Sequence, residues 1–129
     1  MTEFWSHFKS GTDIRGVAVD GVKGEKLDLT DEVIYRMTRG FIKLLEEKTG
    51  RTAGEFNISV GHDSRISAQR IKKQVISALT DAGASVADCG LASTPAMFMT
   101  TVRAGCTGAV QITASHHPYH RNGLKFFTP

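Results

Sequence analysis

The sequence predicts an α/β fold, a three-layer α/β/α sandwich around a mostly parallel, four-stranded mixed sheet. Two observations lead there. Beyond residue 28 the apolar residues switch repeatedly between a helical period and the alternation of a strand. The helical stretches between strands are long enough for βαβ crossovers, which place helices on both faces of a parallel sheet.

The glycine-rich stretch from Phe8 to Val22 reads as a loop or hairpin leading into the sheet. Thr30 is a helix N-cap, and Asp31 and Glu32 follow where the helix dipole favours negative charge. Val33, Met37, Phe41 and Leu44 or Leu45 recur at helical spacing, and Gly50 closes that helix. Phe56, Ile58 and Val60 alternate with polar residues and run into a turn at Gly61, as a strand does. A second helix is capped by Ser67, presents Ile71, Val75, Leu79 and Ala82 on one face, and is ended by Gly83. Val86 to Cys89 is a short strand. Thr94-Pro95 supplies an N-cap with proline at the first helical position, opening a third helix to about Ala104. Gly108 to Thr113 and Leu124 to Phe127 are the last two strands.

At 129 residues, 40% hydrophobic and 22% charged, the composition is that of one globular domain and excludes disorder. No apolar run is long enough to cross a bilayer, and Met1 to Lys9 lacks the apolar stretch of a secretory signal. A formal charge of +3 is too mild for nucleic-acid binding but suits an anionic small molecule. Cys89 and Cys106 have neither metal nor redox spacing and read as small, buried apolar side chains in a cytoplasmic protein. The chain stops at Thr128-Pro129, directly after a strand, so a cut from a longer protein is expected as readily as a self-contained domain.

In open α/β sheets ligands bind beyond the carboxyl ends of parallel strands. Gly61-His62-Asp63-Ser64-Arg65, Gly90 to Thr94, and Thr113 to Gly123 fall there, and the third is the richest in chemistry. Ser115 stands beside His116 and His117, with Arg121, Asn122 and Lys125 close behind. Ser115 reads either as a turn residue or as a nucleophile. Zinc on His116, His117 and His120 is opposed by Pro118, which breaks the helical face a two-histidine motif needs, and by the lack of an acid in the loop. A triad with Asp63 is opposed by the adjacency of serine and histidine and by the absence of a nucleophile elbow. Phosphate chemistry remains, because Arg15, Arg65, Arg121 and Lys125 lie in or beside loops where cations and free N–H groups can cradle an anion. Singly, each of these cations reads as a solvated charge.

Gly11-Thr12-Asp13-Ile14-Arg15-Gly16, Gly61-His62-Asp63-Ser64-Arg65, Thr113-Ala114-Ser115-His116-His117-Pro118 and Asn122-Gly123-Leu124-Lys125 together resemble the motifs of the α-D-phosphohexomutases, the phosphoglucomutase and phosphomannomutase superfamily. The resemblance runs from Phe8 to Thr128, nearly the whole chain. It implies a four-domain enzyme of which residues 1–129 are the first domain, carrying the phosphoserine loop, with the later domains absent from this chain. It further implies an isomerase-class phosphotransferase in which Ser115 carries a phosphoryl group, gives it to a hexose phosphate, and receives another back from a hexose 1,6-bisphosphate. Ser115, through its phosphate, would share one Mg2+ with an aspartate cluster of the second domain, and no such cluster exists here. Arg15, His116 and Arg65 are assigned to the phosphate, and Lys125 to general acid or base work beside Ser115.

His117 stands where the resembled family usually has asparagine. The N-terminal motif lacks an extra glycine common in phosphoglucosamine mutases, which tilts the expectation toward glucose or mannose phosphates. The chain alone is expected to fold without catalysing. An anion-binding or regulatory domain with no turnover is the alternative.

Overall fold

The computed structural model describes residues 3–103 and 105–128. The elements are α1 (Glu3–Ser6), β1 (Lys9–Ser10), β2 (Asp13–Val17), α2 (Asp31–Thr49), β3 (Asn57–His62), α3 (Ala68–Asp81), β4 (Ser85–Leu91), α4 (Thr94–Arg103), β5 (Gly108–Ile112) and β6 (Arg121–Phe127), with a 3-10 turn at Ala53–Glu55. One sheet runs in the order β1-β2-β6-β5-β3-β4.

The α/β sandwich stands, but the sheet has six strands where four were expected. Its parallel part is confined to β4-β3-β5, while β5-β6, β6-β2 and β2-β1 are antiparallel. The reason is connection length. Residues 113–120 join β5 to β6 without a helix, and a parallel return needs a crossover of a dozen residues or more. The hairpin Lys9–Val17 then adds two strands to the free edge of β6, turning at Gly11-Thr12 with Gly11 at φ 63°.

Capping fixes the helix ends. Thr30 Oγ1 accepts the Val33 N–H at 3.3 Å, and Gly50 takes the left-handed conformation (φ 68°) that closes α2. At α4 the cap is Ser93, one residue before the expected Thr94, because its Oγ accepts the Ala96 N–H. The expected end of that helix, Ala104, lies outside the described residues. Ser67 precedes α3 but does not cap it; its hydroxyl accepts from Asn122 Nδ2 at 2.8 Å, tying α3 to β6.

Strand alternation sorts the sheet into two faces. Ile58, Val60, Val110, Ile112 and Leu124 point to the layer made by α2 and α3, where Ile34, Phe41, Leu45, Ile71, Val75 and Leu79 complete the core. Leu45 is buried and Leu44 exposed, settling which of the two leucines faces inward. Each large side chain buried there contributes about 1.5–3 kcal/mol. On the opposite face α4 lays Met97 over Gly61, where a Cβ would come within 2.6 Å of the Met97 sulfur. Asp13, Arg15, Gly123 and Lys125 share this second face, since Arg15 pairs with Gly123 and Lys125 with Gln111 across the strands.

Two glycines respond oppositely to a methyl group. At Gly123 a Cβ would lie 2.1 Å from the Ile14 carbonyl oxygen, so β2 and β6 must part. Gly40, inside α2, has open space around it. In urea unfolding, Gly123→Ala is expected to cost about 3 kcal/mol or more. Gly40→Ala is expected to stabilise by about 0.5–1 kcal/mol through helix propensity. Equal midpoints for the two variants would contradict this reading of the β2–β6 seam.

Candidate active site

The loop between β5 and β6 projects from the carboxyl end of the parallel strands, where the topology places ligand sites. Ser115 lies at its exposed crest with φ 57°, and among the described residues it alone of the non-glycines has positive φ. Such a backbone costs about 1–3 kcal/mol for a residue with a side chain, so surrounding bonds must impose it. They are visible. Ser115 N–H donates to Thr113 Oγ1 at 3.0 Å, Thr113 Oγ1–H donates to Asp63 Oδ2 at 2.7 Å, and His117 N–H closes on the Ala114 carbonyl.

Arg65 lies behind the same loop. Its Nη2 donates to the Ser115 carbonyl at 2.7 Å, and its Nη1 to the carbonyls of Pro118 at 2.7 Å and Arg121 at 3.1 Å. Nε sits 3.4 Å from Asp63 Oδ2 as an ion pair without hydrogen-bond alignment. Asp63 also accepts the Arg65 backbone N–H, so the carboxylate is engaged by arginine and threonine. It bonds no histidine side chain, and nothing here forms a serine-histidine-aspartate relay.

Arg15 reaches the serine loop from the other side of the sequence. Its Nη1 donates to Ser10 Oγ at 3.2 Å and to His117 Nε2 at 3.0 Å, and its Nη2 lies 3.3 Å from Asp13 Oδ2. Nε is buried without a partner. Lys125 Nζ takes the same Asp13 oxygen at 3.2 Å, so one carboxylate holds both cations together. Asp13 was not among the expected site residues. Its position two residues before Arg15 on an extended strand, hence on the same face, was the available signal.

His116 is exposed, with Nδ1 a long 3.4 Å from Ser115 Oγ. His120 is buried and faces Glu25 at 3.6 Å, apart from the His116-His117 ring pair. Arg121 keeps a buried Nε without a partner, and Asn122 is fully buried, donating to Ser67. Cys89 is exposed and Cys106 buried, where Sγ meets Ser59 Oγ at 2.9 Å, so the expected buried thiol describes Cys106 alone.

Magnesium finds little here. Among the described residues no three His, Cys, Asp or Glu side chains group as metal ligands. Asp13 and Asp63 are already neutralised by Arg15, Lys125 and Arg65. The two acids beside the serine loop are thus paired with cations rather than gathered as metal ligands. A cleft of about 780 Å³ beside α2, lined by Trp5, Asp13, Ile14, Met37 and Gly40 among others, contains no residue of the serine loop.

Comparison with known proteins gives the class to which this α/β domain belongs. Residues 10–129 match the family described as phosphoglucomutase/phosphomannomutase, alpha/beta/alpha domain I, and the chain belongs to it. It is 36% identical over 111 residues to a phosphoglucosamine mutase of Lactobacillus delbrueckii subsp. bulgaricus, covering 84% of this chain and 24% of the relative. The figure is 38% over 109 residues for that of Nautilia profundicola, covering 84% and 23%. A phosphoglucomutase/phosphomannomutase family protein of Burkholderia thailandensis superposes with a TM-score of 0.67 at 26% identity, over 90% of this chain and 24% of that one. A structure from Thermus thermophilus shares the fold at a TM-score of 0.74 and 24% identity, over 94% and 25%. The chain thus spans about a quarter of the length of these relatives. No described helix is long and apolar enough to cross a membrane.

Burial, then the positive charges of Arg15, Arg121, His116 and Arg65, hold the His117 imidazole below its usual pKa. Neutral His117 can accept from Arg15; the imidazolium cannot. The unfolded chain takes up this proton near pH 6.5 and the native chain only at lower pH, so stability is full above that range and is lost on acidification. Between about pH 7.5 and 5.5 the urea midpoint of the wild type is expected to fall more than that of His117→Asn. Parallel profiles would remove His117 from the cause.

Proposed function

We propose that this chain is the nucleophile-bearing domain of a phosphohexomutase, and that Ser115 is its phosphoryl carrier. The observation that carries the reading is the exposed, left-handed Ser115 set beside the Arg15–His117–Asp13–Lys125 cluster. Phosphoryl transfer asks chiefly for in-line positioning and charge neutralisation, and an exposed serine two residues before the Arg15-bound His117 suits both.

In this scheme the Oγ–P bond of phosphorylated Ser115 breaks as a hexose phosphate hydroxyl forms its own O–P bond. The attacking sugar hydroxyl gives its proton to a base outside this chain while Lys125 delivers one to the departing Ser115 Oγ. When the bisphosphate intermediate returns its other phosphate, Lys125 takes the proton back from Ser115 and the released sugar oxygen is reprotonated by that same base. Arg15 exchanges its side-chain partners, Ser10 and His117, for phosphate oxygens, with its free Nε in reserve. His116 lies beside the same phosphate. Magnesium, held by ligands outside this chain, would neutralise charge on the transferring group. Sugar-selecting walls come from the remaining domains of the same polypeptide, so residues 1–129 alone do not turn over. The relatives from Lactobacillus delbrueckii and Nautilia profundicola are phosphoglucosamine mutases, which favours glucosamine phosphate over the glucose or mannose phosphates suggested by the N-terminal motif.

The full-length polypeptide should interconvert 1- and 6-phosphates of one of these hexoses. Lys125→Ala is expected to lower kcat by about a hundred- to ten-thousand-fold while KM changes little. A Lys125→Ala enzyme with small, equal changes in both would return Lys125 to the status of a surface charge. Absence of mutase activity in the full-length polypeptide would favour an anion-binding domain.

A further inference from the structure

We propose that Arg65 is a positioning residue and not a phosphate ligand: with Asp63 and Thr113 it forms a clamp that locks Ser115 in its left-handed, outward-facing conformation. The proposal rests on the phosphoserine reading only for its consequence in catalysis; the clamp itself is a statement about this chain.

The direction of the donors decides the matter. Of the five N–H groups of a guanidinium, three on Arg65 are committed to the carbonyls of Ser115, Pro118 and Arg121, and a fourth faces Asp63. Its side chain is only 11% exposed, and with four N–H groups so directed a single Nη2 N–H is left for any further partner. The three carbonyls bracket the loop at its crest, its middle and its far end. A planar, rigid fork can hold them in one geometry, which the single ammonium of lysine cannot. Arg15 contrasts, because its contacts are to side chains, which can rotate away to admit a ligand.

Asp63 links the two halves of the clamp. Its Oδ2 faces Arg65 Nε and accepts the Thr113 hydroxyl, and that hydroxyl accepts the Ser115 N–H. Ser115 is therefore gripped at both ends of its own backbone, N–H through Thr113 and C=O through Arg65. The Gly61–Arg65 motif thereby serves the serine loop mechanically. A nucleophile misplaced by about 1 Å can cost a hundredfold in rate, so such a clamp matters to turnover without touching substrate.

The test is the 15N order parameter of the Ser115 amide in the 129-residue chain, for wild type, Arg65→Lys, Thr113→Val and Thr113→Ser. The clamp predicts about 0.85 for wild type and for Thr113→Ser, which keeps the hydroxyl. It predicts less than about 0.6 for Arg65→Lys and Thr113→Val, with β3 and β5 amides unchanged. Should Arg65→Lys fail to fold, the Thr113 pair decides alone. A mobile Ser115 in wild type, or a rigid one in Arg65→Lys or Thr113→Val, overturns the proposal. In the full-length polypeptide Arg65→Lys should lower kcat by about a hundredfold and leave KM for hexose phosphate within about twofold. A raised KM with unchanged kcat would make Arg65 a substrate ligand instead. The order parameter needs no catalysis, so a polypeptide without mutase activity sinks the functional reading and leaves the clamp to stand or fall by itself.

Discussion

Where β2 crosses Gly123 of β6, the two backbones and the Arg15 side chain occupy space that any Cβ would claim, and the site depends on that close approach. A Cβ at Gly123 would meet not only the Ile14 carbonyl but also Arg15 Cγ, at 2.9 Å. Arg15 passes close to the glycine at its Cγ and reaches His117 on the serine loop. Through this seam a hairpin near the N-terminus is brought to a loop more than ninety residues away in sequence. The same pairing sets Asp13 and Lys125 on one face, where their ion pair forms.

The sheet separates two kinds of work. Its α2 and α3 face is apolar and supplies cohesion through the core built on Val60, Val110 and Ile112. Its other face is covered by α4 over β3 and β5 and is polar at β2 and β6. Charged groups thus stand on a paired β2–β6 ladder, and Ser115 stands on a loop bonded to Arg15 through His117. Arginine serves both parts with different chemistry. Arg65 is spent on backbone carbonyls, which do not move away, while Arg15 is bound to side chains and keeps a buried Nε in reserve.

Much of this was legible in the sequence. Helical periodicity located α2 and α3 because both are long and amphipathic, and their apolar stripes are what the core requires; the expected cap forms at Thr30 of α2 but not at Ser67 of α3. The chemistry-bearing motifs were legible as clusters at strand ends. The hairpin was harder to read as strands, since Lys9–Ser10 is two residues long and Asp13–Val17 lacks clean alternation. The antiparallel return of β6 was implicit in the helix-free connection after β5 but was masked by the βαβ pattern before it. Within the site, sequence placed Arg65 among the cations without revealing where its N–H groups point. That direction follows from tertiary folding of residues 63–65 under residues 113–121, which spacing does not encode. Asp13 and Thr113 were overlooked because each acts through another residue.

The central claim is that Ser115 carries the phosphoryl group, and mapping of covalent phosphate tests it most directly. The full-length polypeptide would be incubated with hexose 1,6-bisphosphate, digested, and the phosphorylated residue located by mass spectrometry. The account predicts a single phosphate on Ser115 that is lost when excess hexose monophosphate is added, and is absent in Ser115→Ala. Phosphate on another residue, or turnover with no covalent phosphate at any stage, would contradict it.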